Sequence, residues 1–192
     1  MIKLFLAGVW GYLLGAVPTG VVVCRVLQGA DVRQQGSGHT GGLNVSRLTG
    51  IWGGALTAVV DALLGVAAVA GATLMADNPW AATVAGVMAV VGHDWSVFIH
   101  FGGGIGISTL VGALLYLSPV LTLVALVALA LIWVTLVRLL HVHRARSTIL
   151  TMVTAGPLLW ALRVPLPGIL LGVLGGAVII IKTIPDWNRQ YG

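Results

Sequence analysis

The chain has very little charge and contains no glutamate. Charged residues make up 8% of its 192 residues, and all five acidic residues are aspartates. Soluble domains are about one quarter charged, because a surface that faces water must be largely polar. Hydrophobic residues make up 58% of this chain, and its mean hydropathy is +1.05. Most of the surface is therefore expected to face lipid, which excludes a water-soluble fold.

Cysteine is also scarce, since Cys24 is the only one. A single cysteine excludes an internal disulfide and a cysteine-built metal site. His93 and His100 are metal-ligand types, but no second group of histidines or carboxylates stands at a suitable spacing. The net charge of +5 would suggest nucleic acid in a soluble protein, whereas basic residues beside membrane spans normally set topology. We therefore expect no metal site and no nucleic-acid partner.

Seven apolar segments of helical length run along the chain. They are Ile2–Val23, Ile51–Met75, Trp80–Gly92, Ile107–Leu117, Val120–Leu139, Ile149–Leu162 and Pro167–Ile181. A spanning helix needs about 20 apolar residues, so the short third and fourth segments are expected to be tilted, broken or partly re-entrant. No period-two alternation favours a β-barrel. The sequence predicts a single all-α membrane domain over residues 1–192 with seven transmembrane helices, two of them short.

The basic residues predict the orientation of these spans. With the N-terminus outside, the inner loops hold Arg25, Arg33, Arg47, Arg138, Arg144, Arg146, Lys182 and Arg189, and the outside keeps Lys3 and Arg163. Cytoplasmic loops carry the excess of Lys and Arg, so the C-terminus is expected in the cytoplasm. Glycine pairs four residues apart, Gly11 with Gly15 and Gly50 with Gly54, predict close helix packing.

The first inner loop combines glycines with polar donors. It runs from Gln34 to Arg47 and reads Gln-Gln-Gly-Ser-Gly-His-Thr-Gly-Gly-Leu-Asn-Val-Ser-Arg. Glycines let backbone N–H groups turn toward an anion, and a hydroxyl, an amide and a guanidinium add further donors. A nucleotide P-loop is excluded because the terminal Lys-Ser/Thr pair is missing. The alternative is a flexible polar linker, which the absence of any acid in the loop disfavours.

The second inner loop, from Gly92 to Gly106, ends in a glycine run that opens a helix. Unpaired N–H groups and the helix dipole make such a start a phosphate site, although a glycine run also serves close packing. For His93, an ordinary hydrogen-bonded loop histidine is a more common outcome than a metal ligand. Asp61 lies inside the second span, where an ionisable group is costly. Asp61 has either a functional or a structural role. In the structural case it forms a helix–helix hydrogen bond or pairs with an inner-loop arginine such as Arg47.

Two further inner segments carry basic residues. The third inner stretch, Arg138 to Thr148, holds Arg144 and Arg146, and the tail begins at Lys182 and includes Asp186. Such clusters commonly contact anionic headgroups, and binding of a substrate phosphate is the alternative. The tail returns to the same face and can close a site there.

At these loops the chain resembles the acyl-phosphate-dependent glycerol-3-phosphate acyltransferases of the PlsY type. The family pattern Gly-Ser-Gly-Asn-x-Gly-x-Thr-Asn-x-x-Arg corresponds to Gly36–Arg47, and its Asp-x-x-Lys-Gly corresponds to Asp61–Gly65. Its Gly-His, Pro-Val-Phe and Phe-Lys-Gly-Gly-Lys-Gly elements correspond to Gly92–His93, Ser96–Phe98 and Phe101–Gly106. Order, spacing and number of spans agree over most of the chain.

The resemblance implies an enzyme of phospholipid synthesis in the prokaryotic plasma membrane, with its loops in the cytoplasm. Its substrates would be acyl phosphate and glycerol 3-phosphate, its product lysophosphatidic acid, and its surroundings membrane lipids. The anhydride of the donor makes a cofactor unnecessary, and the donor phosphate would accept the proton.

The resemblance also assigns roles to residues of the four inner segments. The catalytic set would be Ser37, Asn44, Arg47 and His93. The substrate-binding set would be Gly38, His39, Asp61, Gly102, Gly103, Gly104, Gly106, Arg144, Arg146, Ser147, Lys182 and Asp186. Ser147 or Thr148 would match the family's serine on the third inner loop.

The chain departs from the family at several cations. Gly102 and Ile105 replace both lysines of the second glycine loop, and Leu64 replaces the lysine after the intramembrane aspartate. His39 and Leu43 replace an asparagine and a threonine, and the tail's Arg-His-x-x-Asn becomes Lys182–Asp186. Each lost cation–phosphate contact costs roughly 2–5 kcal/mol. Catalysis then requires compensation by Arg144, Arg146 or His39, and the alternative is a non-catalytic membrane protein that binds lipid or a partner.

Overall fold

Eight α-helices make up most of residues 1–189, which are the residues that the structure, a computed structural model, describes. They are α1 (Ile2–Gly15), α2 (Thr19–Gln28), α3 (Gly42–Met75), α4 (Pro79–Asp94), α5 (Ile107–Leu117), α6 (Pro119–Val134), α7 (Arg144–Ala161) and α8 (Leu166–Thr183). Short helical turns cover Val32–Gln34, Val97–Ile99, Thr135–Leu139 and Ile184–Asp186. No strand occurs in this part of the chain, so the all-α prediction is confirmed there.

Four helical segments are long and apolar enough to cross a membrane. They are Ile2–Gln28, Gly42–Met75, Pro119–Leu139 and Leu166–Asp186, and Ile107–Leu117 is a shorter apolar helix. Large apolar side chains such as Trp52 and Leu74 are exposed on their outer faces. In water such a surface would be costly, whereas in lipid it is the expected one.

The first predicted span is not one continuous helix. α1 ends at Gly15 and α2 begins at Thr19, because Pro18 has no N–H and its ring prevents an α-helix from running through it. The break places the carbonyl oxygen of Ala16 where it accepts a hydrogen bond from Ser96 Oγ (2.5 Å). Tyr12 Oη donates to the carbonyl oxygen of Trp95 (2.8 Å). The break therefore supports the start of the second inner loop.

The second span also begins earlier than the apolar pattern predicts. α3 starts at Gly42 and bends at Gly50, whose φ of 80° and ψ of 176° are open to glycine alone. The segment before the bend is held by Val45, which is fully buried against Val21 and Val32. Tertiary packing thus overrides its polar composition, and the expected loop from Gly42 to Arg47 is helical.

Glycines bring the helices into backbone contact, as the four-residue spacing predicts. Gly11 and Gly15 of α1 face the backbone of Ala85 and Ala89 on α4, and Gly112 of α5 faces that of Ala62 on α3. The largest helix pairs are accordingly α1 with α4 and α3 with α5. Gly50 has a different role from the one expected, since it forms the bend of α3. These pairs fix the helices whose ends carry the site.

Candidate functional site

Asn44 holds the first inner loop in shape. Its Oδ1 accepts a hydrogen bond from the Ser37 N–H (3.1 Å), and its Nδ2 donates to the carbonyl oxygens of Gln35 (3.0 Å), His39 (3.0 Å) and Val32 (3.1 Å). The side chain is 3% exposed. Because these bonds use its amide on both sides, Asn44 positions Ser37 and His39 in addition to lining the site.

An ion pair braces the start of the same loop. Arg33 Nε and Nη2 donate to Asp31 Oδ1 (3.0 Å) and Oδ2 (2.6 Å), and the Arg33 N–H also donates to Oδ1. These hydrogen bonds, from the Arg33 side chain first of all, lower the pKa of Asp31 to about 2. Arg33 Nη1 reaches the carbonyl oxygen of Ile99 (3.4 Å) in the second loop. This pair was not predicted from the sequence, although its two-residue spacing is a possible signal.

The two glycine loops touch each other. The Thr40 N–H donates to the carbonyl oxygen of Gly103 (3.2 Å), and the Gly104 N–H donates to that of His93 (3.0 Å). Any side chain at Gly104 would collide with the His93 ring. The second loop therefore needs glycine at position 104, because its backbone packs directly against the His93 ring.

A cavity of about 360 Å³ lies between these loops and the start of α7. The first residues of three helices line it: Gly42 and Leu43 of α3, Ile107 and Ser108 of α5, and Arg144 and Ala145 of α7. The caps of α3 and α5, Gly41 and Gly106, provide no side-chain hydrogen bond to the N–H groups of the first turn. At the start of α7, His143 Nδ1 accepts a hydrogen bond from the Ala145 N–H. The three positive helix ends that border the cavity, two of them without a side-chain cap, favour an anion there.

The charged side chains lining the cavity add to this field. Arg47 and Arg144 bring positive charge, and Asp61 is the only acidic residue among the lining residues. Asp61 Oδ1 lies 3.8 Å from His93 Nδ1, and both side chains are buried. This distance is too long for a hydrogen bond, and Asp61 Oδ1 has no hydrogen-bond partner among the described residues. The ring of His93 lies between Asp61 and Gly104.

The tail covers the first loop. His39 Nε2 lies 2.5 Å from Asp186 Oδ2, and Arg189 Nη1 donates to Asp186 Oδ1 (3.1 Å). His143 Nε2 is 2.9 Å from the carbonyl oxygen of Arg189. The expectation that the tail returns to the face of the inner loops therefore agrees with its contacts. Lys182 Nζ donates to the carbonyl oxygen of Asp94 (2.5 Å), so the ammonium group binds the C-terminal end of α4.

Half of the predicted site residues line the cavity. They are Ser37, His39, Asn44, Arg47, Asp61, His93, Gly106 and Arg144. The others are Gly38, Gly102, Gly103, Gly104, Arg146, Ser147, Lys182 and Asp186, which surround it without lining it. Arg146 bonds Asn188 in the tail and stacks on Trp187, while Ser147 is fully buried and donates to the carbonyl oxygen of Val142. These two side chains hold the tail and α7 in place.

The positions of the missing lysines are partly filled by other groups. Ile105 lines the cavity without closing it, and Leu64 is not among the lining residues. A Cβ at Gly102 would lie 3.8 Å from Arg33 Cδ. The side chain of Arg33 therefore lies next to the position that the family's lysine would occupy. Cationic groups therefore remain near the second glycine loop, although Arg33 is committed to Asp31.

A second cavity of about 290 Å³ adjoins the first between α5, α6 and α7. Its lining is almost wholly aliphatic, and it shares Leu43, Ile107, Trp133 and Thr148 with the polar cavity. Trp133 Nε1 donates to Thr148 Oγ1 (3.1 Å) at this shared wall. Trp133 is not among the candidate residues that the sequence indicated. A signal was available, since Trp133 is the only aromatic residue of α6.

Comparisons with known proteins agree on one family. The family model described as glycerol-3-phosphate acyltransferase matches residues 5–190. A glycerol-3-phosphate acyltransferase of Synechococcus sp. strain JA-3-3Ab is 40% identical over 91% of this chain and 83% of its own length. One from Rubrobacter xylanophilus is 40% identical over 88% of this chain and 82% of its own length.

Solved structures give the same result. The crystal structure of PlsY, an integral membrane glycerol 3-phosphate acyltransferase, in its glycerol 3-phosphate form matches with a TM-score of 0.79 and 29% identity. That match covers 97% of this chain and 90% of the other. The lysophosphatidic acid form of PlsY matches with a TM-score of 0.78 and 26% identity, over the same shares of the two chains.

Proposed function

This chain belongs to the glycerol-3-phosphate acyltransferase family, and we propose that the cavity described above carries out the family's reaction. The protein is an all-helical integral membrane enzyme of phospholipid synthesis. It transfers an acyl group from acyl phosphate to the 1-hydroxyl of glycerol 3-phosphate and gives lysophosphatidic acid. The two forms in which PlsY has been solved, with glycerol 3-phosphate and with lysophosphatidic acid, support this substrate and this product.

One observation carries the proposal: a cavity that contains two arginines and several hydrogen-bonding side chains shares a wall with a cavity that has almost no polar surface. Phosphate groups fit the first, where three helix N-termini meet Arg47 and Arg144. The acyl chain fits the second, whose aliphatic lining continues from the shared residues Ile107 and Trp133. An acyl phosphate that occupies both would place its anhydride carbon at the shared wall.

The catalytic set consists of Ser37, Asn44, Arg47 and His93. Arg47 binds phosphate, because a guanidinium offers several directed donors to its oxygens. Ser37 binds beside it, positioned by Asn44. His93, fixed between Asp61 and Gly104, faces the donor from the other side.

The substrate-binding set extends this arrangement. Arg144 and Gly106 line the cavity and contact the phosphates, while His39 and Asp61 line its edges. The remaining members do not line the cavity but lie next to the residues that do. They are Gly38, Gly102, Gly103, Gly104, Arg146, Ser147, Lys182 and Asp186. They shape the loops and the tail that close the site. No cofactor is required, because cleavage of the anhydride drives the transfer.

We propose a single domain of seven spans, with α1 and α2 forming the first and α3 to α8 the others. The first loop contacts the second through Thr40 and Gly103, and the tail contacts the first through His39 and Asp186, so these segments share one side. Basic residues concentrate there, which supports a cytoplasmic site in the plasma membrane, with the N-terminus outside. Membrane lipids cover the outward apolar faces.

The proposal is tested with purified protein, palmitoyl phosphate and labelled glycerol 3-phosphate. We expect labelled lysophosphatidic acid to form in proportion to time and protein. Palmitoyl-coenzyme A in place of the acyl phosphate should give none, because a thioester has no phosphate group beside its acyl carbon for Arg47 and Arg144 to bind. Product no greater than that of a no-enzyme control would favour the alternative, a non-catalytic membrane protein that binds lipid or a partner.

Narrowing the apolar cavity should change donor preference. Ala155 is 4% exposed and lines this cavity, so Ala155→Phe would displace part of a long acyl chain. Lost burial of two methylenes costs about 1.6 kcal/mol, or about 15-fold. We expect kcat/KM to fall by about that factor for palmitoyl phosphate and to stay within about twofold for octanoyl phosphate.

Val153→Phe is the matched control for this change. Val153 lies on the same helix, is 61% exposed and faces outward, so its replacement adds the same ring on the lipid side. Its ratio of palmitoyl to octanoyl activity should equal that of the unmodified protein. Equal losses with both donors in Ala155→Phe would place the acyl chain elsewhere.

A further inference from the structure

Two departures from the family pattern meet in space. His39 stands where the resemblance places an asparagine in the first loop, and Asp186 stands where it places one in the tail. They are 147 residues apart in the chain, yet His39 Nε2 lies 2.5 Å from Asp186 Oδ2. The replacement of two neutral amides by an imidazole and a carboxylate changes what this pair can do, because only the new pair can carry a proton.

The environment of the pair fixes its geometry. Asp186 is 2% exposed, and its other oxygen accepts a hydrogen bond from Arg189 Nη1 (3.1 Å). A carboxylate that receives a hydrogen bond from Nε2 keeps the proton on that nitrogen and leaves a lone pair on Nδ1. Among residues 1–189, no side chain or backbone group hydrogen-bonds to His39 Nδ1. His39 itself lines the polar cavity beside Ser37 and Arg47.

We propose that His39 is the general base of the reaction in this chain and that Asp186 is its positioning residue. The inference rests on the proposed function. His39 Nδ1 takes the proton of the 1-hydroxyl of glycerol 3-phosphate as the oxygen attacks the acyl carbon. The new C–O ester bond forms, the anhydride C–O bond to phosphate breaks, and the proton passes from His39 to the departing phosphate. The products are lysophosphatidic acid and hydrogen phosphate, and no other reactant is needed.

The loss of cations from the second loop makes a protein base useful here. Where fewer cations hold the donor phosphate, its position as a proton acceptor is less well fixed, whereas His39 is held by Asp186. The charged and titratable groups around the pair are Arg189 and Lys182 on the tail side, Arg47 and Asp61 on α3, His93 on α4 and Arg144 on α7. Each of these groups is retained in the variants that test the proposal.

The test compares His39→Asn with the unmodified protein over pH 5.5 to 8. Asparagine is the residue that the resemblance places there, and it can still bond Asp186, which favours folding. General bases contribute about 10²–10⁴ in rate. We expect kcat at pH 8 to fall about 100-fold and KM for glycerol 3-phosphate to change less than threefold. The kcat of the unmodified protein divided by that of His39→Asn should rise with pH, because a protonated imidazole cannot accept the proton of the hydroxyl.

Plotting this ratio cancels the ionisation of the substrates, which both proteins share. A ratio that does not change with pH would overturn the proposal. A rise in KM with unchanged kcat would also overturn it and would make His39 a phosphate ligand. Failure of the unmodified protein to form product would instead overturn the proposed function. His100→Asn is the control: His100 lies outside both cavities at a φ of 58°, which asparagine adopts readily, and its kcat should stay within twofold.

Asp186→Asn gives an independent test of the positioning role. This change keeps the shape of the side chain but weakens the hold on the imidazole, so kcat should fall about tenfold while the pH dependence of the ratio persists. Added imidazole should raise the activity of His39→Ala severalfold at pH 8. No rescue, combined with unchanged kcat in Asp186→Asn, would leave the pair a structural contact and refute the assignment.

Discussion

Arg47→Ala is expected to reduce lysophosphatidic acid formation by at least 30-fold and up to several thousandfold. Arg47 lines the polar cavity from the first turns of α3, and its Nη1 lies 3.6 Å from where a Cβ of Gly36 would be. It is thus within the loop that we assign to phosphate. Arg47 is exposed in the free protein, and we expect bound phosphate to desolvate it. Removing one partner of such a charge pair costs roughly 2–5 kcal/mol, which corresponds to this range. The measurement is kcat/KM for labelled glycerol 3-phosphate with saturating palmitoyl phosphate.

Arg138→Ala is the matched control for charge on the same side of the membrane. Arg138 is exposed at the end of the turn Thr135–Leu139 and lines neither cavity. Its loss should leave kcat/KM within about twofold. A comparable loss in both variants would show that the arginines act by general attraction of anions, and full activity of Arg47→Ala would remove Arg47 from the site.

Gly15→Ala is expected to destabilise the protein by about 2 kcal/mol. The added Cβ would collide with the backbone carbonyl of Ala89 on α4, and a backbone cannot move aside as a side chain can. Overpacking typically costs 1–3 kcal/mol. For a chain of this size the apparent Tm should fall by roughly 4–8 °C. Tryptophan fluorescence during heating in detergent measures the change.

Gly8→Ala is the same substitution in the same helix and serves as the control. Its Cβ would meet only side chains, Val84 Cγ1 at 3.3 Å and Met88 Cγ at 3.6 Å. Because these can adjust and alanine is the better helix former, we expect an unchanged or slightly higher Tm. If both variants lose the same stability, the contact of α1 with α4 is looser than its backbone geometry implies.

The all-helical, apolar character of the chain and the approximate positions of its long apolar segments were predictable from sequence. Lipid requires long apolar helices with all backbone groups bonded internally, so hydropathy alone locates them. Gly11 and Gly15 likewise indicated a close helix contact by their spacing. The break at Pro18 has a local cause in the proline ring, although no break was predicted there. The early start of α3 at Gly42 could not be predicted in this way, because it depends on the buried cluster around Val45.

The sequence identified candidate residues, but it could not give their arrangement. Ser37 and Arg47 stood out because glycines and donors lie together in the first loop without acids, and His93 stood out because its loop ends in a glycine run. Asn44 was expected to bind substrate directly, and its four hydrogen bonds to the loop add a positioning role that requires coordinates. The contact of His39 with Asp186 joins residues from opposite ends of the chain. A single sequence holds no signal for such a pair.

The wall shared by the two cavities has a consequence for how the product leaves the enzyme. Leu43, Ile107, Trp133 and Thr148 form a boundary between the cavity that holds Arg47 and Arg144 and the apolar one. If the product lies across this boundary, as we propose, its tail stays on the apolar side. We then expect it to leave into lipid and not into water, so the protein that consumes it must collect it from the bilayer.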